Sequence, residues 1–143
     1  MTSKDNLMNF LKDQIKVENK IVESLNSSLD EIRNPAVKGV LKGISLDSVK
    51  HAEMYASAVG LLTRVQPALA QEQLDKQRKL VEKHIQLEAE LIVKISKKLP
   101  SIEDKKVELL LNAILKDEKI HHKLLKEVLN VLVRGETITE EDW

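Results

Sequence analysis

Shifted by 70 residues, the chain falls on itself without a gap. Asp5 meets Asp75, Ile15 meets Ile85, Glu18 meets Glu88, Leu29 meets Leu99 and Ile32 meets Ile102. The match continues with Val37 on Val107, Leu41 on Leu111, Ile44 on Ile114, Asp47 on Asp117, His51 on His121 and Arg64 on Arg134. A repeat of this kind is one supersecondary unit used twice, which confines the fold to what two copies of one motif can build. Within each copy the apolar residues step by three and four, the period of a helix buried along one face. A break near the middle of each copy, at Asn34-Pro35 and at Pro100-Ser101, makes the motif a helical hairpin. Two hairpins predict an all-α chain, a four-helix bundle with helices at about 4–29, 35–64, 74–99 and 102–134.

The boundaries follow from capping chemistry. Ser3 is placed to cap the first helix, whose apolar positions are Leu7, Phe10, Leu11, Ile15, Ile21, Val22 and Leu25. That helix weakens at Asn26-Ser27-Ser28. Pro35 suits the first turn of the second helix, because it has no N–H to leave unpaired there. Gly60 and Pro67 bracket the end of the second helix, with 65–73 as connector. Ser101, followed by Glu103 and Asp104, opens the fourth helix, and Gly135 closes it. Residues 1–135 then form one domain, with an acidic tail over 136–143 that ends in Trp143.

Composition narrows the class further. The 143 residues are 42% hydrophobic and 32% charged, with Lys+Arg and Asp+Glu both at 23, so no basic excess points to nucleic acid or an anionic membrane. Only Phe10, Tyr55 and Trp143 are aromatic, too few for a β-rich core. With no cysteine, disulfides, thiolate metal sites and cysteine nucleophiles are excluded, which fits a reducing compartment. The polar start and the short apolar runs lead to the expectation of a soluble cytoplasmic protein with no membrane span.

The informative residues are the polar ones inside the apolar stripes. In the last helix the stripe runs Leu111, Ile114, Glu118, His121, Leu125, Val128, Leu132. In the second it runs Leu41, Ile44, Ser48, His51, Tyr55, Ala58, Leu62. The third passes through Val81, His84 or Ile85, Glu88, Leu91, Ile95 and Leu99, and Glu18 lies among the apolar positions of the first. Burying a carboxylate or an imidazole is costly unless it is paired or bound to a metal. The repeat sharpens this, because the intruding residues are the ones that recur, with the same 33-residue interval from glutamate to histidine in both halves. Glu18, His51, Glu88, Glu118 and His121 would come to one level of the bundle. Three carboxylates against two imidazoles cannot all be compensated as a bare hydrogen-bond network, whereas one divalent cation comes close and two more than suffice. Clustered carboxylates and imidazoles with Glu-x-x-His on a helix describe a first-row transition-metal site.

The pattern Glu18, His51, Glu88 and Glu118-Lys119-Ile120-His121 resembles the ferritin-like di-iron carboxylate superfamily, most of all its rubrerythrin and bacterioferritin branches. The resemblance spans about residues 4–134, and its most specific part is Asp-Glu-x-x-His at Asp117–His121. It implies iron, as two ions, with a single ion, manganese or zinc as alternatives. It further implies that Glu18 and Glu88 are terminal ligands, that Glu118 bridges, and that His51 and His121 each hold one metal. Asp47 and Asp117 would accept the free ring N–H of a ligand histidine, Asp47 having direct ligation as an alternative. Tyr55 would either hydrogen-bond a ligand carboxylate or simply pack, and His84 is either an extra ligand or an ordinary histidine. No catalytic residue apart from the metal site is indicated.

Three departures qualify the resemblance. Ser48 stands where the repeat partner of Glu118 should be, so one bridging carboxylate is missing. Leu91 stands where rubrerythrins carry an additional glutamate, and there is no rubredoxin domain. Electrons would come from a separate donor. The activity implied is a rubrerythrin-like reaction with peroxide or O₂; the alternatives are an iron-storage or iron-handling subunit and a structural bundle with a degenerate site. Relatives carry a long crossover between the second and third helices. Here that needs the second helix to stop near Gly60, since the stretch to Leu74 reaches roughly 45 Å at full extension. A second helix continuing to Arg64 favours a short connection or exchange of hairpins between two chains, and a homodimer is expected either way.

Overall fold

The computed structural model describes residues 2–64 and 70–134. They form four α-helices, α1 (Ser3–Leu29), α2 (Pro35–Thr63), α3 (Gln71–Lys98) and α4 (Lys105–Arg134), with a single 3₁₀ turn at Leu99–Ser101. The helices pack in pairs, α1 with α2 and α3 with α4. The chain thereby divides into two compact units, Met1–Val65 and Gln66–Trp143, each a helical hairpin. The all-α expectation of four helices built from two hairpins is what the structure has. No described helix is long and apolar enough to cross a membrane. The expected C-cap at Gly135, the tail, Trp143 and Pro67 lie outside the described residues.

Local chemistry explains where the helices begin and where the sequence reading needs correction. Thr2, not Ser3, caps α1: its Oγ1 accepts the Asp5 N–H at 3.1 Å, and the Asp5 carboxylate accepts the Thr2 N–H at 3.1 Å. This reciprocal box needs an acceptor three residues after the cap, and the Asp5 carboxylate is a stronger one for Thr2 than the Asn6 amide would be for Ser3. The serines at the end of α1 do not break it. Ser27 and Ser28 both donate to the Ser24 carbonyl, at 2.9 and 3.1 Å, folding their hydroxyls back onto the helix.

Asn34 caps α2, accepting the Ala36 and Val37 N–H groups at 2.9 and 3.4 Å ahead of Pro35 in the first turn. The start of α3 comes three residues earlier than expected. Gln73 Oε1 accepts the Ala70 N–H at 3.2 Å, half of a capping box whose other half an alanine methyl cannot supply. The cap of α4 is Asp104 rather than Ser101. Its Oδ1 accepts Lys106 and Val107 N–H at 2.8 and 3.3 Å, while Ser101 Oγ donates back to the Lys98 carbonyl at 2.7 Å and closes α3.

Inside the first hairpin Ser45 Oγ donates to Asn26 Oδ1 at 2.8 Å, and Glu18 lies opposite His51, so α1 and α2 run antiparallel. The face of α2 that meets α1 carries Leu41, Ser45, Ser48, Ala52, Tyr55, Val59 and Leu62, all buried or half-buried. In α4 the corresponding face is Leu111, Leu115, Glu118, His122, Leu125, Leu129 and Leu132. The expected stripes are therefore rotated by part of a turn. Ile44 and Ile114, placed centrally by periodicity, are 45% and 44% exposed, and Leu91 gives way to Ile92 in α3. The physical reason is that a wide apolar stripe has two flanks, and one hairpin partner covers only one of them.

Candidate metal centre

The closest cluster of ligating side chains lies in the α3–α4 hairpin. One oxygen each from Glu88 and Glu118 and one ring nitrogen of His121 lie within 4.8 Å of one another. The helix places them there directly: Glu118 and His121 are three residues apart on one face of α4, and Glu88 reaches across from mid-α3. His121 Nδ1 is 4.0 Å from Glu118 Oε2, too long for a hydrogen bond, and the glutamate side chain is only 17% exposed.

The decisive observation is what these groups lack. Glu88 Oε2 and Glu118 Oε2 are buried and accept no hydrogen bond. Only one other described side-chain atom shares that state, the Nδ1 of His122. An orphaned buried carboxylate oxygen loses its hydration without replacement. The like charges of the two carboxylates also repel, and a cation set between them turns repulsion into attraction. Ligands around a tetrahedral ion at about 2.1 Å stand about 3.4 Å apart, so closing from 4.8 Å asks for side-chain rotation rather than movement of helices. Two carboxylate oxygens and an imidazole nitrogen thus fit a divalent first-row ion.

The α1–α2 hairpin carries the other two predicted ligands in a different state. His51 Nδ1 lies 3.6 Å from Glu18 Oε1, an interhelical pair in which the glutamate is 15% and the histidine 48% exposed. Ser48, the repeat partner of Glu118, is 5% exposed on the buried face of α2. This half therefore offers one carboxylate and one imidazole where the other offers two carboxylates and one imidazole.

The remaining candidates fall outside the cluster. Asp47 pairs with Lys50 at 3.2 Å. Asp117 is exposed on α4, and His84 is exposed on α3, where Ile85 takes the inward position. Tyr55 is half-buried and shares a shallow groove with Leu11, His51, Met54 and Ala58. His122 was not among the sequence candidates, and the repeat does not mark it, because its partner there is Ala52. Its spacing was the available signal, for it follows Glu118 by four residues. No protein-family model, curated protein or solved structure matches this chain.

Proposed function

We propose that this protein binds first-row transition metal, with Glu88, Glu118 and His121 as the principal ligands, and acts as a ferritin-like metal protein on peroxide or O₂. The observation that carries the metal is the pair of buried, unsatisfied carboxylate oxygens beside an imidazole. Iron and the reaction with peroxide or O₂ rest on the resemblance to rubrerythrins. Bound iron would supply the electrons that reduce an O–O bond. The chain's own residues would bind and orient: Glu88 and Glu118 neutralise the cation and His121 fixes its position. With no cysteine for a rubredoxin-type centre, reducing equivalents come from a separate donor.

A second ion would take Glu18 and His51, more weakly, because Ser48 supplies no carboxylate. The partner in this reading is a second copy of the chain. Each hairpin leaves large apolar side chains exposed along its helices, among them Phe10 at 52%, Met54 at 55%, Leu109 at 50% and Ile120 at 54%. The connector from Arg64 to Ala70 is short, which favours exchange of hairpins in such a dimer. A purely structural bundle is the competing reading, favoured by the buried Ser48 in the place of a second bridging carboxylate.

Metal analysis of the purified protein separates the two. The proposal expects at least one bound transition ion per chain, lost in Glu118→Ala; a wild-type protein that takes up no metal after reconstitution under reducing conditions overturns it. Light scattering in solution tests the dimer.

A further inference from the structure

We propose that His122 is a fourth side-chain donor to the ion held by Glu88, Glu118 and His121, so that the α3–α4 hairpin completes a one-ion site from its own residues. The inference rests on the metal reading above and goes beyond it in naming a ligand, a stoichiometry and an order of filling. Its basis is that the three unsatisfied buried side-chain atoms among the described residues belong to one hairpin: Glu88 Oε2, Glu118 Oε2 and His122 Nδ1. Residues four apart on a helix have Cβ atoms about 5–6 Å apart, so Glu118 and His122 can chelate one ion. His122 stands on the α4 face that meets α3, whereas His121 lies on the adjacent flank, so the two imidazoles approach from different sides.

His122 is outside the 4.8 Å group, so ligation requires its ring to turn about the two side-chain torsions toward Glu118. The resulting set, two carboxylate oxygens and two imidazole nitrogens, neutralises one divalent cation and satisfies all three orphans. It suits ions that accept four-coordination, zinc and cobalt among them. The first hairpin cannot match it, having Ser48 and Ala52 at the corresponding positions.

The test is titration of the full chain with Co²⁺, whose visible absorption is intense in four-coordinate sites and weak in octahedral ones. Wild type is expected to bind the first equivalent tightly with an intense spectrum. In His122→Ala and His122→Phe that equivalent should weaken by roughly tenfold to a hundredfold or more, with loss of intensity. Glu18→Ala and His51→Ala should leave it unchanged. Wild-type affinity and spectrum in the His122 variants, or loss of the first equivalent in His51→Ala, overturns the proposal. Loss of metal in Glu118→Ala alone would leave the broader metal reading standing, while retention there would remove both. Should either His122 variant lose helicity, ¹⁵N NMR of the zinc-loaded wild type decides: a metallated ring nitrogen on His122 supports the assignment, and a free ring refutes it.

Discussion

Glu118→Met should stabilise the metal-free protein and destabilise the metal-loaded one relative to wild type. Methionine matches glutamate in length, lacks branching and has similar helix propensity, so the change isolates the carboxylate. In the metal-free wild type, Glu118 Oε2 is buried without a hydrogen bond. Removing such an orphan returns about 1–3 kcal/mol. The lower half of that range applies, because the side chain remains 17% exposed and its other oxygen can be solvated. For a chain of this length, 1–2 kcal/mol corresponds to a rise of roughly 3–8 °C in Tm.

With metal the order inverts. At a free concentration of 100 Kd, the wild type gains about 2.7 kcal/mol from an ion that binds only the folded state, and the variant gains little. Calorimetric melts of both proteins, in chelator and in saturating Zn²⁺, give all four numbers. A variant less stable than wild type in chelator would refute the reasoning, since the buried carboxylate would then have been contributing to the fold by itself.

Three further outcomes follow from the same geometry. Ser48→Glu should add a second equivalent of bound metal, seen by elemental analysis, while costing the metal-free protein about 1–3 kcal/mol for a larger side chain at a position 5% exposed. Asn26→Ala strands the hydroxyl of Ser45, itself 2% exposed, and should cost about 1–3 kcal/mol in urea unfolding. The double change with Ser45→Ala should recover much of that cost; an equal loss in the Ser45→Ala background would deny the hydrogen bond any role. The Asp5 carboxyl should titrate below its ordinary 3.8, held down first by the Thr2 hydroxyl, then by the Thr2 N–H. Because the folded value is the lower one, the capping box contributes above pH 3.8 and is lost as pH falls through the depressed value. Carboxyl NMR should show Thr2→Ala moving the midpoint up, and no movement would dismiss the box as the cause.

The helices were legible because their signals are local and redundant: Pro35 at an N-terminus, and apolar steps of three and four repeated in both halves. Caps were less legible, since Thr2 and Ser3, or Ser101 and Asp104, are equally good chemically, and the choice depends on local partners: Asp5 reciprocates for Thr2, and Ser101 is turned back onto Lys98. The facing surfaces were the hardest to read. Periodicity centres a stripe on Ile114 and Ile44, but the partner helix covers the flank that holds Leu115 and Ser45. The same shift turned His122 from a bystander into an inward residue. Glu118 survived it because it belongs to both stripes, and Glu88 and His121 remain half-buried beside it.

The two copies of the repeat have parted in a way that separates packing from binding. Where the second hairpin has Leu115, Glu118 and His122, the first has Ser45, Ser48 and Ala52. With small side chains at those three positions, the first hairpin has Ser45 Oγ donating to Asn26 and Glu18 lying 3.6 Å from His51. The second hairpin has larger residues there, two of them polar, and every unsatisfied buried side-chain atom among the described residues lies on its helices. Local conflict of this kind lowers stability, and proteins retain it at sites that do something else. The persistence of the conflict on one side, beside its resolution on the other, is the strongest reason to seek a bound ion in α3–α4 first.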